Sequence, residues 1–267
     1  MKISVITVSF NSERTIERTI KSVIEQTHKE IEYIIVDGGS TDNTLDIVDK
    51  YKENINILIS EKDNGIYDAM NKGIKLATGE ILHFLNSDDY YINSSSLEKV
   101  LNEFNIDIGI VITPVNMVDV NGKLLYKFSS NISNPFKCIP HQGFFYKKKL
   151  HDTYGMYSLF LKYASDYNFY LTLRKSNINI REVLQPSVNM QEGGEGVSDG
   201  LFVLSELFYV QVKNKLSFTI SICLFLILLI KNRVRIFLDK YFFKNIIYRL
   251  RFLVRKGKWF IIYHFKH

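Results

Sequence analysis

Cysteine is scarce. Cys138 and Cys223 are the two in 267 residues, too few and too far apart for a disulfide framework or a thiolate zinc site. A reducing, cytosolic compartment is the expectation that follows. Four prolines and 14 glycines exclude a collagen-like or proline-rich chain. A charged content of 23% against 46% hydrophobic residues belongs to a folded protein rather than a disordered one. No internal repeat is visible. A signal-peptide core is not expected either, because the apolar run Ile3–Val8 is short and is followed at once by Ser9, Asn11, Ser12, Glu13 and Arg14. A G-x-G-x-x-G turn is missing after that run, where Ser9-Phe10-Asn11-Ser12 stands instead. That absence argues against a dinucleotide enzyme.

Acidic residues are nearly absent from one end. Residues 201–267 hold 13 Lys/Arg against Glu206 and Asp239, a net of +11, whereas residues 1–200 hold 21 Lys/Arg against 26 Asp/Glu, a net of −5. An acidic body carrying a basic apolar tail is a membrane-surface pattern. Its charges are interleaved with long aliphatic residues and no reading motif is present, which excludes nucleic acid as the expected partner. The uncharged run Leu216–Ile230 spans about 22 Å as a helix, short of the ~30 Å hydrocarbon core. Beyond it, Arg233, Lys240, Lys244 and Arg251 fall on one helical face, and Val234, Leu238, Tyr241, Tyr248 and Phe252 on another. Lys256, Lys258, Trp259 and Tyr263 suit a headgroup interface. The tail is therefore expected to attach to a membrane surface, the alternative being a helical appendage that packs on the protein or on another subunit.

The first hundred residues alternate strand and helix signals. Apolar runs at Ile3–Val8, Ile31–Val36, Ile55–Ile59 and Ile81–Leu85 predict strands. Between them lie amphipathic stretches that begin after a Ser12 cap, after Thr41, and at Tyr67. Strands apolar on both faces and separated by helices imply a mostly parallel sheet covered on both sides, with ligands at the strands' carboxyl ends. Further on, Ile108–Thr113 and His141–Tyr146 read as strands, Met117–Val120 and Leu124–Phe128 as a hairpin about Asn121-Gly122, and Ser165–Arg174 as a helix. Acidic residues fall at two of the early strand ends, Asp37 and the pair Asp88-Asp89. Adjacent carboxylates repel unless a cation sits between them and a substrate phosphate, although the same pair could simply cap a turn.

The companions of these acids are more specific. Thr7-Val8-Ser9-Phe10-Asn11, Val36-Asp37-Gly38-Gly39-Ser40-Thr41-Asp42, Gly65-Ile66-Tyr67-Asp68-Ala69-Met70-Asn71-Lys72-Gly73, Ala77-Thr78-Gly79-Glu80 and Asn86-Ser87-Asp88-Asp89 occur in the order and spacing of the family 2 glycosyltransferases. The series resembles the bacterial members that build capsule, O-antigen or exopolysaccharide chains, and covers roughly residues 1–200. The resemblance implies an A-type glycosyltransferase fold and inverting transfer from a nucleoside-diphosphate sugar. By position it places Val8, Phe10 and Asn11 along the base and ribose, and Asp37 on the uracil ring. Asp88 and Asp89 would contact ribose and a divalent Mg2+ or Mn2+ ion. Asn86 stands where the family's signature usually begins with Asp.

Inverting displacement needs a base opposite the leaving group, and the resemblance points to Asp166 at the start of the 165–174 helix. Asp63, Asp68 and Asn71 are further donor-site candidates. His141, Gln142, Glu192 and Gly194 are candidates for the diphosphate or acceptor, the last two within a glycine-rich segment read as a lid. The expected plan is a catalytic domain over 1–200, with a nucleotide-sugar half to residue 100 and an acceptor half after it, then the helical tail over 201–267. The function expected is transfer of a sugar, from UDP in preference, to a glycan or lipid-linked acceptor at the cytoplasmic face of the membrane. A degenerate transferase domain serving as a membrane-bound interaction module is the competing reading. Retention of Asp37, Asp88, Asp89 and Asp166 together argues against it.

Overall fold

A computed structural model describes residues 1–129, 131–193 and 200–241. Gly194 and Glu195 of the glycine-rich segment, and Lys244, Tyr248, Arg251, Phe252, Lys256, Lys258, Trp259 and Tyr263 of the tail, lie outside the described residues. The chain divides into two compact units, one of residues 1–134 and 138–192, the other of residues 135–137 and 193–267.

The first unit is built on two sheets. Its early elements run β1 (Ile3–Ser9), α1 (Ile16–Ile24), β2 (Ile31–Asp37), α2 (Thr44–Asp49), β3 (Ile57–Ser60), α3 (Ile66–Leu76), β4 (Ile81–Phe84), β5 (Tyr90–Tyr91) and α4 (Ser96–Leu101). There follow β6 (Ile108–Ile112), β7 (Val115–Val118), β8 (Leu124–Phe128), β9 (Phe144–Lys147), α5 (Lys149–Tyr154), α6 (Ser165–Arg174), β10 (Asn179–Glu182) and β11 (Val188–Gln191). The larger sheet has seven strands in the order β10-β6-β9-β4-β1-β2-β3, the smaller four in the order β5-β11-β7-β8.

Strands β4, β1, β2 and β3 run parallel, as their apolar runs predict. β9 lies antiparallel between β4 and β6, so the halves expected on either side of residue 100 share one sheet. Alternation along β1 shows why helices cover both faces. Ile3 and Val5 pack with Ile16, Ile20 and Val23 of α1 in the main core, while Ile6 points the other way, against Gly73 of α3. A β-carbon on Gly73 would fall 2.5 Å from Ile6 Cγ2, so the absence of a side chain there sets the approach of helix to sheet.

Three local expectations are corrected. Ser12 does not cap α1, which starts at Ile16 behind Thr15. The Ser12 hydroxyl instead donates to the Phe10 carbonyl and shares a 2.7 Å hydrogen bond with Ser87. β3 is not apolar on both faces; it is the sheet edge, its residues alternating half-buried and exposed with Leu58 outward. The strand expected from His141 begins only at Phe144, because residues His141–Gly143 form a 3-10 turn behind Pro140.

In the second unit, α7 (Gly200–Lys213) and α8 (Phe218–Tyr241) pack together, with the Phe208 ring 5.8 Å from Phe218 and 5.5 Å from Phe225. Among the described residues no helix is long and apolar enough to cross a membrane. Ile220, Leu226, Ile227 and Ile230 are exposed on α8, and at 100° per residue they share one side of the helix with exposed Cys223.

Candidate active site

The site residues gather where β1, β2 and β4 end. Ser9, the last residue of β1, is in register with Asp37, the last of β2, and Asp37 with Ser60, the last of β3. Asp37 is fully buried and heavily solvated by protein. Ser9 Oγ and Ser40 Oγ donate to its Oδ1, while the Gly39 and Ser40 amides and Ser60 Oγ donate to Oδ2. Five donors exceed the roughly four lone-pair sites of a carboxylate. The contact expected between Asp37 and a uracil ring therefore does not fit; Asp37 instead organises the turn that carries Gly38 to Thr41.

Around that turn, Val8 is 7% exposed and Phe10 57%. Asn11, in the left-handed region at φ 47°, uses its Oδ1 to accept from the Thr41 amide at 2.9 Å. Of the three residues expected along the nucleotide, Val8 is buried, whereas Phe10 and Asn11 are both exposed. Asp63 accepts from the Gly65 amide at 2.9 Å. Asp68 accepts from the Asn64 amide at 3.0 Å, with Lys72 Nζ 3.7 Å away. Asn71 is buried, and both ends of its amide bond the backbone of Tyr157, at 2.9 and 3.0 Å. That clamp is structural, so the expected donor contact from Asn71 does not fit.

Asp88 and Asp89 have different surroundings. Asp89 is 1% exposed and each oxygen is already held, Oδ2 by Gln142 Nε2 at 2.7 Å and Oδ1 by the Gln191 amide at 3.0 Å. Burial, and then the Asp88 charge, push its pKa well above the usual carboxylate range. Asp89, expected as a metal ligand, is thus an enclosed carboxylate with one donor on each oxygen. Asp88 is partly exposed, and its carboxylate accepts no hydrogen bond from another described residue. Burial raises its pKa too, with His141 and Arg18 opposing. Arg18 lies 4.2 Å over the Tyr90 ring and donates to the Asp88 carbonyl and to Gln191 Oε1, which fixes this strand end to β11.

Asp166 lies at the second position of α6, as expected, and joins a chain of side chains. Tyr67 Oη and the Tyr167 amide each donate to its Oδ1 at 2.8 Å, and His141 Nδ1 is 3.2 Å from Oδ2. His141 Nε2 accepts from Asn86 Nδ2 at 2.9 Å, which leaves the ring proton on Nδ1, facing Asp166. Burial and then the Asp166 charge hold the Tyr67 hydroxyl well above its ordinary pKa, so it remains a donor. Asn86, Asp166 and His141 are thus brought together, and Gln142 ties the same 3-10 turn to Asp89. Asn86 Oδ1 and Gln142 Oε1 are buried without a partner among the described residues. Glu192, just past β11, bonds through its amide to the Val118 carbonyl.

Tyr67 and Arg18 belong to this site without a sequence signal that singles them out. Tyr67 stood inside a recognised motif, but a buried phenol reads as core until its partner across 99 residues is known. Arg18 carries no sequence signal beyond its place on the polar side of α1.

Residues 4–169 match the family described as Glycosyl transferase family 2. A PGL/p-HBAD biosynthesis glycosyltransferase of Mycobacterium bovis is 33% identical over 172 residues, spanning 62% of this chain and 67% of that protein. Among solved structures, S. aureus TarS 1-349 in complex with UDP-GlcNAc superposes with a TM-score of 0.64 at 24% identity, over 83% of this chain and 69% of that one. Mannosyltransferase PcManGT from Pyrobaculum calidifontis, in complex with GDP-Man and Mn2+, gives 0.63 at 16% identity, over 79% and 63%. At these identities the structural likeness is one of fold, and it is the A-type glycosyltransferase fold anticipated above. The chain belongs to glycosyl transferase family 2 and is a glycosyltransferase.

Proposed function

We propose that this glycosyltransferase moves a sugar from a nucleoside diphosphate to a hydroxyl of a glycan or lipid-linked acceptor, with inversion at the anomeric carbon. The observation that carries this reading is the chain Asn86–His141–Asp166–Tyr67 beside the free carboxylate of Asp88. Asp166 is the base. It takes the acceptor hydroxyl's proton as that oxygen forms the new bond to the anomeric carbon, while the electron pair of the broken bond leaves with the diphosphate. Tyr67 and His141 hold the carboxylate in place, and Asn86 fixes the imidazole so that its proton faces Asp166. Asp166 binds no arginine or lysine in the described structure, which leaves it available as an acceptor.

The donor set fits a divalent cation. Among the described residues no three His, Cys, Asp or Glu side chains form a protein-only metal site, and Mg2+ or Mn2+ in such enzymes is held by one or two carboxylates together with substrate phosphates. Asp88 would hold the ion, Asp89 serving to position that strand end. When bound, the ion would offset charge gathering on the leaving diphosphate. Relatives of the same fold have been solved with UDP-GlcNAc and with GDP-Man and Mn2+, which supports a nucleotide-sugar donor here.

The same reading extends to the domain plan: a catalytic body over residues 1–200 and a tail over 201–267 that attaches to the cytoplasmic face of a membrane. The exposed apolar side of α8 together with the tail's net charge of +11 favours that attachment. A bacterial cell-surface glycan fits the relative named for PGL/p-HBAD biosynthesis. The deciding experiment is titration of the full-length protein with UDP, in Mn2+ and in EDTA, followed by donor turnover with and without acceptor. Metal-dependent UDP binding and turnover are expected. A folded protein that binds no nucleoside diphosphate would instead be the interaction module.

A further inference from the structure

Asp37 has no lone pair to spare for a base, which raises the question of which group reads it. The turn after β2 points to an answer. A β-carbon built on Gly38 would fall 2.5 Å from Asp63 Oδ2, 3.3 Å from Asp63 Cγ and 3.5 Å from Phe10 Cδ2. The Asp63 carboxylate therefore fills the space in which a side chain at position 38 would stand, against the exposed Phe10 ring. Its Oδ1 is anchored by the Gly65 amide, whereas Oδ2 accepts no hydrogen bond from any described residue.

The anchoring is local and leaves one oxygen directed. Asp63 lies two residues before Gly65, whose φ of 108° is open to glycine and few other residues. The loop between β3 and α3 is thus turned so that Asp63 reaches across to the β2 end. Gly38 has an ordinary negative-φ backbone, and its amide donates to the Ser9 carbonyl at 2.8 Å, so the floor beneath Asp63 is fixed by the sheet. Phe10 supplies an aromatic face on which a planar base can stack, and Phe10 and Asp63 Oδ2 both border the space over Gly38.

We infer that Asp63, seated on Gly38 beside Phe10, is the specificity-determining carboxylate for the donor's base. This rests on the nucleotide-sugar reading above and deepens it. A carboxylate is acceptor-only. It favours a base whose Watson–Crick edge presents a ring N–H, such as uracil, over cytosine, which presents a lone pair at the same ring nitrogen. UDP and CDP keep the same ribose and diphosphate and differ at that edge, where cytosine offers only its exocyclic amine as a donor. Their affinity ratio therefore reads the contact to the ring N–H.

The test is calorimetric titration of the full-length protein with UDP and with CDP, both in Mn2+, for the wild type, Asp63→Asn, Asp63→Gly, and Asp63→Gly combined with Gly38→Asp. The wild type is expected to prefer UDP by roughly tenfold or more, the scale of one hydrogen bond to a charged group. Asp63→Asn and Asp63→Gly should bring the two ligands close to equal, and the double variant should restore the preference by returning a carboxylate to the same space from the other side of the gap. A merely structural Asp63 would alter both affinities alike and leave their ratio as it was. A UDP preference unchanged in Asp63→Asn overturns the inference while leaving the donor reading intact. Failure of the wild type to bind either nucleotide removes the donor reading itself.

Discussion

Asp88 and Asp89 are neighbours with opposite surroundings, and the contrast sorts their substitutions. Asp89 closes a buried network with Gln142 and Gln191, so Asp89→Ala strands two donors. The cost should be about 1–3 kcal/mol, read as a lowered Tm. Asp88 holds no partner of that kind, and Asp88→Asn should unfold like the wild type yet lose Mn2+-dependent UDP binding in the same titration. Equal loss of UDP binding with unchanged Tm in both variants would contradict this division of labour. Asp166→Asn keeps the shape of the base but cannot take a proton. Turnover should fall by the ~10²–10⁴ typical of general-base loss while UDP affinity holds. Wild-type turnover in that variant would place the base elsewhere.

At the scale of elements, α3 and β1 meet at Gly73 and Ile6 with no room for a methyl group. Gly73→Ala would gain helix propensity in α3, yet it should destabilise the protein by about 1–3 kcal/mol through overpacking. A raised Tm would show that the helix can back away from the sheet. The parallel strands were legible because burial on both faces leaves an unbroken apolar run, as in Ile34–Val36. Helix α6 was legible from a different signal, a polar start at Ser165, and it runs over the bounds expected, Ser165 to Arg174. The 3-10 turn at His141–Gly143 was not, since the pattern His-Gln-Gly-Phe-Phe-Tyr does not reveal where extension begins. Nor does a sequence reveal which carboxylates have spent their lone pairs. Asp37 and Asp63 read alike as letters, and they are separated only by five hydrogen bonds in one case and a side-chain-free neighbour in the other. Asn86 looked like a lapse from the family's pattern until His141 supplied its partner.

Over the whole molecule, buried titratable groups set the response to acid. Burial holds His83 neutral down to about 3 and His151 down to about 4, against 6.5 for an ordinary imidazole. Between those values the unfolded chain binds more protons than the folded one, so stability should fall as pH drops below 6.5. For Glu32, burial opposes ionisation, but hydrogen bonds from Ser4, Thr78 and Lys2 outweigh it and bring the pKa to about 2 from 4.5. Its contribution is full above pH 4.5 and is lost as pH falls toward 2. The raised carboxyl groups of Asp88 and Asp89 act in the opposite sense, so the histidine contribution is read by comparing wild type with His151→Gln. The urea midpoint of that variant should fall less between pH 6.5 and 4.5, and an equal fall would contradict the assignment of His151.

The tail acts at the same scale. Full-length protein should sediment with anionic vesicles, and high salt should loosen it only partly, because the apolar side of α8 is insensitive to screening. Protein left in the supernatant at low salt would make the tail a packing or oligomerisation element. Strand β9 carries a consequence of another kind, one of timing. It fills the gap between β4 and β6, yet it is synthesised some sixty residues after β4. A chain emerging from the ribosome can assemble β1 to β4 early, and during that interval β4 stands as a bare edge with unmatched amides and carbonyls. Nascent chains stalled between Phe84 and Phe144 should accordingly be the species that associate with one another or recruit chaperones, and release past Lys147 should end that exposure.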